Sequence, residues 1–560
     1  DAAGGIFSLV LPATITAPTG AFLNGNADND TFNFAPQTGA AITLDGLAPT
    51  TVPGDVLNID INALTNPLLT LQGQGAGTWT FDAPLQPVVY TSIENVVPDD
   101  AYHLRLLASG TSFGNTGVAD NITIRRDNVV PTDLVIERTG VLNAPNDFVG
   151  VIFQGPLATI LSFTYVGSSD NETLTIDDVN GLVNFSGVVP ASTGVGNNLN
   201  VADQPELFLD GGTGADQLVF ALAAPNTDQV YGLGTGTAPG SQEGEVRTSV
   251  GATVLSTYFR NLDAVSSNDT STPDTGALTI VGDANANAIS VASAAGGTTV
   301  SATGYVPFTF GIQAFNSLTV NAGDGADTVT LASLNAGEAN LAVTLNGEIG
   351  NDALVVESAP ATSTVLLQGG AGNDAYNLGG LLNTVDGILA AVTVTDSAGT
   401  DSLTLVDSAD TSGDTVTITD STINGVSLAP APNVAFTGVE ALDVTTSGGD
   451  DVITTTLNGT NGLVSVNVRG ANGDDDFFLN TADGMATLTT LNLIGDAGSD
   501  DFGSATNPIR PLIGPATNIA VYGDSTAITT NPGGGITDHL FLDMTTTSAL
   551  ATVNPLVIVD

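Results

Sequence analysis

Seven aspartates recur in short turns that are rich in glycine. They are Asp327, Asp352, Asp374, Asp401, Asp451, Asp475 and Asp500. Clusters of carboxylate and carbonyl oxygens are the ligands that Ca²⁺ prefers in proteins. If the turns stack on one another, the carboxylates form a column in which neighbours repel unless cations bridge them. The pattern therefore predicts a series of calcium sites, and the alternative is a series of carboxylates at the surface that accept hydrogen bonds from turn amides.

The spacing of the seven aspartates indicates which element must position them. The intervals are 25, 22, 27, 50, 24 and 25 residues, so one repeat takes about 25 residues and the longest interval is interpreted as two repeats. A period of this size is typical of solenoid proteins, in which each repeat packs against its neighbours. The turns are therefore expected to lie at equivalent corners of successive repeats.

Short strands fill the residues between the turns. Segments such as VTVTD and SLTLV alternate apolar and polar residues, and helical periodicity is almost absent. A repeat of two or three short strands cannot bury its apolar side alone, but stacking pairs each backbone with the next. We therefore predict an all-β parallel β-helix or β-solenoid with rungs of about 25 residues. Tandem β-sandwich modules are the alternative, because closely spaced strands also fit sandwiches.

The regularity of the repeat suggests four regions. Residues 1–130 are predicted to form a less regular N-terminal β region, and the stretch 103–133 at its end resembles the end of a bacterial immunoglobulin-like module. A connecting segment is predicted at 131–165 and the repeat solenoid at 166–505. Residues 506–560 are predicted to be a C-terminal β cap or assembly segment.

Composition excludes several classes of partner and site. The 560 residues carry 59 acidic side chains against eight arginines and no lysine, a formal charge of −51. This charge repels nucleic acids and anionic lipid surfaces. The absence of cysteine excludes disulfides and thiolate metal sites. No apolar run is long enough to predict a transmembrane segment, and an N-terminal Asp1 in place of methionine predicts a processed, exported chain.

Two resemblances extend this interpretation. The turn GGAGNDAYN at 369–377 resembles one nonapeptide of the RTX β-rolls, in which calcium lies between successive glycine-rich turns. In that family the nonapeptides follow one another directly, whereas the next match here is more than twenty residues away. Most of residues 166–505 resembles the repeat regions of large acidic bacterial exoproteins of the S-layer, sheath, filament and adhesin types. These resemblances imply a location outside the cell or at its surface and Ca²⁺ as the cofactor.

The sequence thus predicts an exported structural protein that self-assembles as a subunit of a cell-surface layer, sheath or extracellular filament. Its expected partners are other copies of itself and cell-surface polysaccharide. The alternative is a calcium-dependent adhesin or carbohydrate-binding surface protein, and a β-helix enzyme that degrades polysaccharide is a third hypothesis. Between residues 261 and 509 the only basic side chain is Arg469, and paired acids fall at repeating turns. A catalytic pair would break the repeat once, so we predict no catalytic residues and no enzyme.

Overall fold

The computed structural model describes most of the chain. The described residues are 6–8, 21–25, 29–39, 41–47, 54–110, 117–139, 149–189, 205–224, 227–233, 242–269, 276–338, 340–426, 434–459, 461–480, 487–509, 518–523, 539–540 and 556–559. Within them the helical elements are two 3-10 turns, Ala108–Gly110 and Leu157–Thr159. No helix in these ranges is long and apolar enough to cross a membrane. The prediction of an all-β protein is confirmed.

The strands are short, and most have three to eight residues. In chain order, the strands of the described residues are β1 (Ile6–Ser8), β2 (Ala21–Asn24), β3 (Thr31–Phe34), β4 (Ile42–Asp45), β5 (Val56–Ile59), β6 (Leu68–Gly73), β7 (Ala76–Thr80), β8 (Val88–Thr91), β9 (Asn95–Pro98), β10 (Tyr102–Leu107), β11 (Asp120–Arg126), β12 (Asp133–Thr139), β13 (Gly150–Pro156), β14 (Ile160–Ser168), β15 (Glu172–Asp177), β16 (Leu207–Gly212), β17 (Gln217–Leu222), β18 (Thr227–Gly232), β19 (Gly244–Val250), β20 (Thr253–Arg260), β21 (Ala264–Asp269), β22 (Ala277–Val281), β23 (Ala288–Ala294), β24 (Gly297–Ala302), β25 (Phe308–Phe310), β26 (Ser317–Asn321), β27 (Thr328–Ser333), β28 (Ala342–Ile349), β29 (Ala353–Val356), β30 (Thr364–Ala371), β31 (Ala375–Leu378), β32 (Ala391–Thr395), β33 (Ser402–Val406), β34 (Thr415–Thr419), β35 (Thr422–Asn424), β36 (Val434–Thr437), β37 (Ala441–Thr445), β38 (Val452–Thr456), β39 (Ser465–Arg469), β40 (Asp476–Leu479), β41 (Thr490–Ile494), β42 (Asp501–Phe502), β43 (Asn518–Tyr522), β44 (His539–Leu540) and β45 (Leu556–Val559).

The chain divides into two compact units. The first comprises Asp1–Gly276 and Gly304–Phe310, and the second comprises Ala277–Thr303 and Gly311–Asp560. Within each unit, strands pair in parallel with the equivalent strand of the next repeat. We call such a series a column. The columns of the second unit are β22-β26-β28-β30-β32-β36, β23-β27-β29-β31-β33-β37-β39-β41-β43-β45 and β34-β38-β40-β42-β44.

The first unit is built in the same way. Its columns are β1-β3-β5-β9, β2-β4-β8, β6-β10-β14-β16-β20 and β11-β15-β17-β21-β25. Thr31 already pairs with Val56, one repeat away, inside the region predicted to be less regular. The predicted connection at 131–165 contains β12, which pairs antiparallel with β11, and β13, which pairs antiparallel with β12. Parallel pairing therefore begins well before residue 166.

Register explains the apolar core. Side chains alternate between the buried and outer faces of each strand, and matched register places like residues above one another. In one column Val343, Val365, Val392 and Val434 pair in sequence, and all four are buried. The aromatic residues Tyr90, Phe310 and Phe436 are also buried, as expected for residues that pack in the core.

Three-stranded antiparallel meanders interrupt the parallel pairing. In the second unit β35 lies between β34 and β36, antiparallel to both, while β34 and β36 each continue a different parallel column. The meander joins two columns into one sheet and lengthens the repeat that contains it. The interval of 50 residues between Asp401 and Asp451 therefore does not hold two ordinary repeats, because these two aspartates follow different columns.

The C-terminal segment 506–560 is described in part. In it β43 and β45 extend the column of the second unit that begins with β23, and β44 pairs with β42. The remainder of the predicted cap or assembly segment lies outside the described residues.

Candidate metal centres in the acidic turns

The acids that precede the strands share one contact. In every turn of a series after the first, a carboxylate oxygen accepts a hydrogen bond from the backbone N–H of the equivalent residue one repeat earlier. We call these residues turn acids and the resulting series a ladder. The first ladder of the second unit runs through Asn287, Asp327, Asp352, Asp374, Asp401 and Glu440, and the second runs through Asp414, Asp451, Asp475 and Asp500, with N···O distances from 2.6 to 3.0 Å.

The first unit repeats the arrangement with longer intervals. The N–H of Asp30 donates to Asp55 and that of Asp55 to Glu94. In the same way Glu172 donates to Asp216. The contact thus recurs in both units, although the glycine-rich motif is weaker in the first.

The residue immediately before a turn acid makes the opposite contact. The N–H of Asn373 donates to Oδ1 of Asn351 at 2.8 Å, and the N–H of Thr400 donates to Oδ1 of Asn373 at 2.9 Å. Likewise Asp474 donates to Asp450 at 3.0 Å. Two adjacent polar side chains therefore bind one turn to both of its neighbours, which explains why pairs such as Asn-Asp and Asp-Asp recur in the sequence.

The second carboxylate oxygen of several turn acids is buried without a hydrogen-bond partner. These oxygens include Oδ2 of Asp327, Asp352, Asp374, Asp451 and Asp475. In several turns this oxygen lies against a glycine five residues earlier. A Cβ on Gly470 would lie 2.0 Å from Oδ2 of Asp475. Gly470 thus leaves room for the carboxylate of Asp475, and its backbone is not left-handed.

Burial raises the pKa of these carboxyl groups. The pKa of Asp475 rises to about 8 because the group is desolvated, and the carboxylates of Asp451 and Asp500 add to the effect. Desolvation also raises the pKa of Asp327 and Asp374 to about 6, although the amide that each accepts acts in the opposite direction. The second oxygen of a turn acid is therefore a favourable place for a proton, or for a cation that neutralises the same charge.

The seven predicted ligands are brought together as two ladders rather than one column. Asp327, Asp352, Asp374 and Asp401 follow one another in the first, whereas Asp451, Asp475 and Asp500 belong to the second. Each already uses one oxygen to accept an amide, as the capping alternative predicted, but the contacts are buried rather than at the surface. Calcium binding by the seven stays a prediction.

One group of three carboxylates includes two of the predicted ligands. Asp374, Asp396 and Asp401 each offer an oxygen, and the three oxygens lie within 4.8 Å of one another. Asp396 stands where most turns have glycine, and it accepts a hydrogen bond from the hydroxyl of Tyr376. That hydroxyl also accepts the N–H of Gly369 at 2.7 Å. A cation bound by these oxygens would share Asp396 with the hydrogen bond from the Tyr376 hydroxyl.

A second group of three contains residues that the repeat alignment missed. Asp407, Asp410 and Asp414 lie in the turn between β33 and β34, and their oxygens are also within 4.8 Å of one another. The alignment passed over them because they fall inside the 50-residue interval, where the glycine-rich pattern is absent. The available signal was the local spacing of the three aspartates in DSADTSGD.

Comparisons with known proteins supply no relative from which a role could be transferred. No protein-family model matches the chain, and no curated protein sequence matches it. The geometry of the turns is therefore the basis for the functional argument.

Proposed function

We propose that the chain is an exported structural protein, a self-assembling subunit of a cell-surface layer, sheath or extracellular filament, and that it folds as a parallel β-solenoid with rungs of about 25 residues. The observation that carries the proposal is the repetition of one contact, the turn acid that caps the amide one repeat earlier. A contact repeated along the chain stabilises its length, whereas catalysis needs a constellation of residues that occurs once.

Assembly would use the same backbone chemistry. Every strand inside a column satisfies its N–H and C=O groups on both neighbours, and a strand at the end of a stack presents an unpaired row. A strand from another copy of the chain pairs with such a row by strand addition. The main partner is thus a second copy, and cell-surface polysaccharide is the further partner that we propose for attachment.

Charge would control when assembly occurs. A formal charge of −51 keeps separate chains apart, and salt or divalent cations reduce that repulsion. We propose Ca²⁺ as the cofactor, bound by the second oxygens of the turn acids. The group formed by Asp374, Asp396 and Asp401 is the strongest support among the seven predicted positions.

Electron microscopy of the purified full-length chain tests the proposal. Regular filaments or two-dimensional lattices are expected after addition of Ca²⁺, and chelation with EDTA is expected to reduce them. Light scattering on the same samples measures the size distribution. A uniform monomer at every calcium and salt concentration would contradict self-assembly.

A calcium-dependent adhesin or carbohydrate-binding protein is the second candidate. The observation that favours it is the clustering of three carboxylates in a turn, because cations held in loops can organise a binding surface. A glycan array separates the two functions. Calcium-dependent binding to a defined sugar by a chain that remains monomeric would favour the adhesin.

A further inference from the structure

The second ladder begins with Asp414, whose carboxylate accepts no backbone amide from the residues that the structure describes. Each later turn acid accepts the N–H of the preceding repeat, but Asp414 is the first member. Its Oδ2 is buried without a hydrogen-bond partner, and only 7% of the residue is exposed. The first ladder begins differently, with Asn287, whose side-chain amide donates to Oδ1 of Asp283 at 2.9 Å. The first ladder therefore begins with a neutral side chain that is hydrogen-bonded, whereas the second begins with a carboxyl group that has a buried oxygen without a partner.

A second buried carboxylate faces the same problem. Asp407 is completely buried, and its Oδ1 accepts bonds from the N–H of Val385 at 3.1 Å and the hydroxyl of Thr384 at 3.0 Å. Its Oδ2 has no hydrogen-bond partner. Because both donors are used by Oδ1, Oδ2 is the oxygen left for a further ligand. A buried carboxylate oxygen without a donor or counter-ion is costly.

The third carboxylate is oriented from its own turn. Both oxygens of Asp410 accept the hydroxyl of Ser412, at 2.9 and 2.7 Å, and Oδ1 also accepts its N–H at 3.0 Å. Asp410 is partly exposed, so water can complete the surroundings of an ion. No lysine or arginine occurs between residues 261 and 468, and the sequence near the group therefore offers no permanent positive charge.

The distances fit one calcium ion. Two ligands on opposite sides of Ca²⁺ at its usual distance of about 2.4 Å are about 4.8 Å apart, so oxygens within that separation can all contact one ion. The oxygens of the three aspartates lie within 4.8 Å of one another. All the side-chain donors are hard oxygens, which suits Ca²⁺.

We propose that Asp407, Asp410 and Asp414 bind one Ca²⁺ ion in the turn between β33 and β34, a site separate from the seven repeat positions. The ion takes the place of the amide that Asp414 lacks. It thereby fixes the first turn of the second ladder, where β34 begins a new parallel column. The site does not depend on self-assembly, and binding can be measured on a soluble chain.

Titration calorimetry with CaCl₂ on the full-length chain tests the site, in KCl at physiological ionic strength with Mg²⁺ present to suppress diffuse binding. The Asp414→Asn variant is expected to bind one Ca²⁺ fewer than the wild-type chain. In EDTA it is expected to melt at or above the wild-type temperature, because a buried charge has been removed. In Ca²⁺ its rise in Tm is expected to be smaller.

Two further variants keep the test decisive. Asp386→Asn removes an exposed charge of the adjacent loop and is expected to retain the wild-type number of bound ions. Asp410→Asn keeps an oxygen for Ser412 and is expected to lose the ion, so it replaces Asp414→Asn if that variant fails to fold. The proposal is overturned if the wild-type chain binds no Ca²⁺ under these conditions, or if the folded Asp414 or Asp410 variant binds as many ions as the wild-type chain.

Discussion

At the scale of single residues, each turn acid uses its two oxygens differently. One oxygen of Asp475 accepts the N–H of Asp451 at 2.8 Å, and the other lies buried against Gly470. The glycine is therefore part of the acid's environment. Three of the seven turns predicted from the sequence have Ala322, Asp396 or Thr446 at the equivalent position, so a turn can rearrange to accept a side chain.

Replacing Gly470 with alanine tests this arrangement. The new Cβ would lie 2.0 Å from Oδ2 of Asp475, so the turn must shift, and we expect a loss of about 1 to 3 kcal/mol in the free energy of unfolding. Gly311→Ala is the matched control, since a Cβ there meets no atom within 4 Å, and its effect is expected to stay within about 0.5 kcal/mol. Urea unfolding measures both. Equal midpoints for the two variants would refute the packing role of Gly470.

At the scale of elements, hydrogen bonds between turns hold neighbouring repeats together. Its last two residues contact opposite neighbours, as Asn351 and Asp352 illustrate: the first accepts from the next repeat and the second from the preceding one. A strand pair of four or five residues makes few hydrogen bonds, so bonds at its corner add substantially to its alignment. The turns therefore help to maintain the register on which the core depends.

Two substitutions of Asp352 separate amide capping from charge. Asp352→Ala leaves the buried N–H of Asp327 without an acceptor, and we expect it to cost about 1 to 3 kcal/mol of stability. Asp352→Asn keeps an oxygen acceptor for this N–H and removes a buried charge, so it is expected to be close to neutral. Thermal unfolding in EDTA provides the measurement. If both variants lose the same stability, capping is not the role of this side chain.

At the scale of the whole molecule, both the burial of acids and the large negative net charge favour binding of protons by the folded chain. Burial in the folded state raises the pKa of many aspartates above its ordinary value of 3.8, to about 8 for Asp475 and about 7 for Asp414. The pKa is lowered for Asp127 and Asp410, which oppose the trend. Since the raised group is larger, folding takes up protons over the range between these values.

The chain is accordingly expected to be most stable in mildly acidic solution. Each raised carboxyl contributes stability that is complete below its unfolded pKa, near 3.8, and that is lost as pH rises through its folded pKa of about 6 to 8. We expect Tm to fall between pH 5 and pH 8 by several degrees in EDTA, and Ca²⁺ to reduce that fall. Calorimetry across this pH range checks the sign, and a Tm that rises toward pH 8 in EDTA would contradict it.

Much of the secondary structure was predictable from residues alone. Val365 and Leu367 enter the core, and Tyr376 and Leu378 begin the buried face of the next strand, as their alternation with polar residues indicates. The positions of the seven turn aspartates could also be predicted, because each follows a similar short turn that is rich in glycine. The contact of each acid could not, because a carboxylate near a turn can equally cap an amide, face water or bind an ion until its neighbours are placed.

The sequence by itself determined that the protein is all-β, that its strands are short and that acidic turns recur along it, since alternation and turn residues are local properties. Only the tertiary structure decided which acids share a ladder. Asp401 connects to Glu440 across 39 residues and Asp414 to Asp451 across 37, because a meander between them changes the column. The approach of Asp407, Asp410 and Asp414 to one another depends on the same turn, and their burial, which sequence spacing does not predict, leaves Oδ2 of Asp407 and of Asp414 without a donor among the described residues.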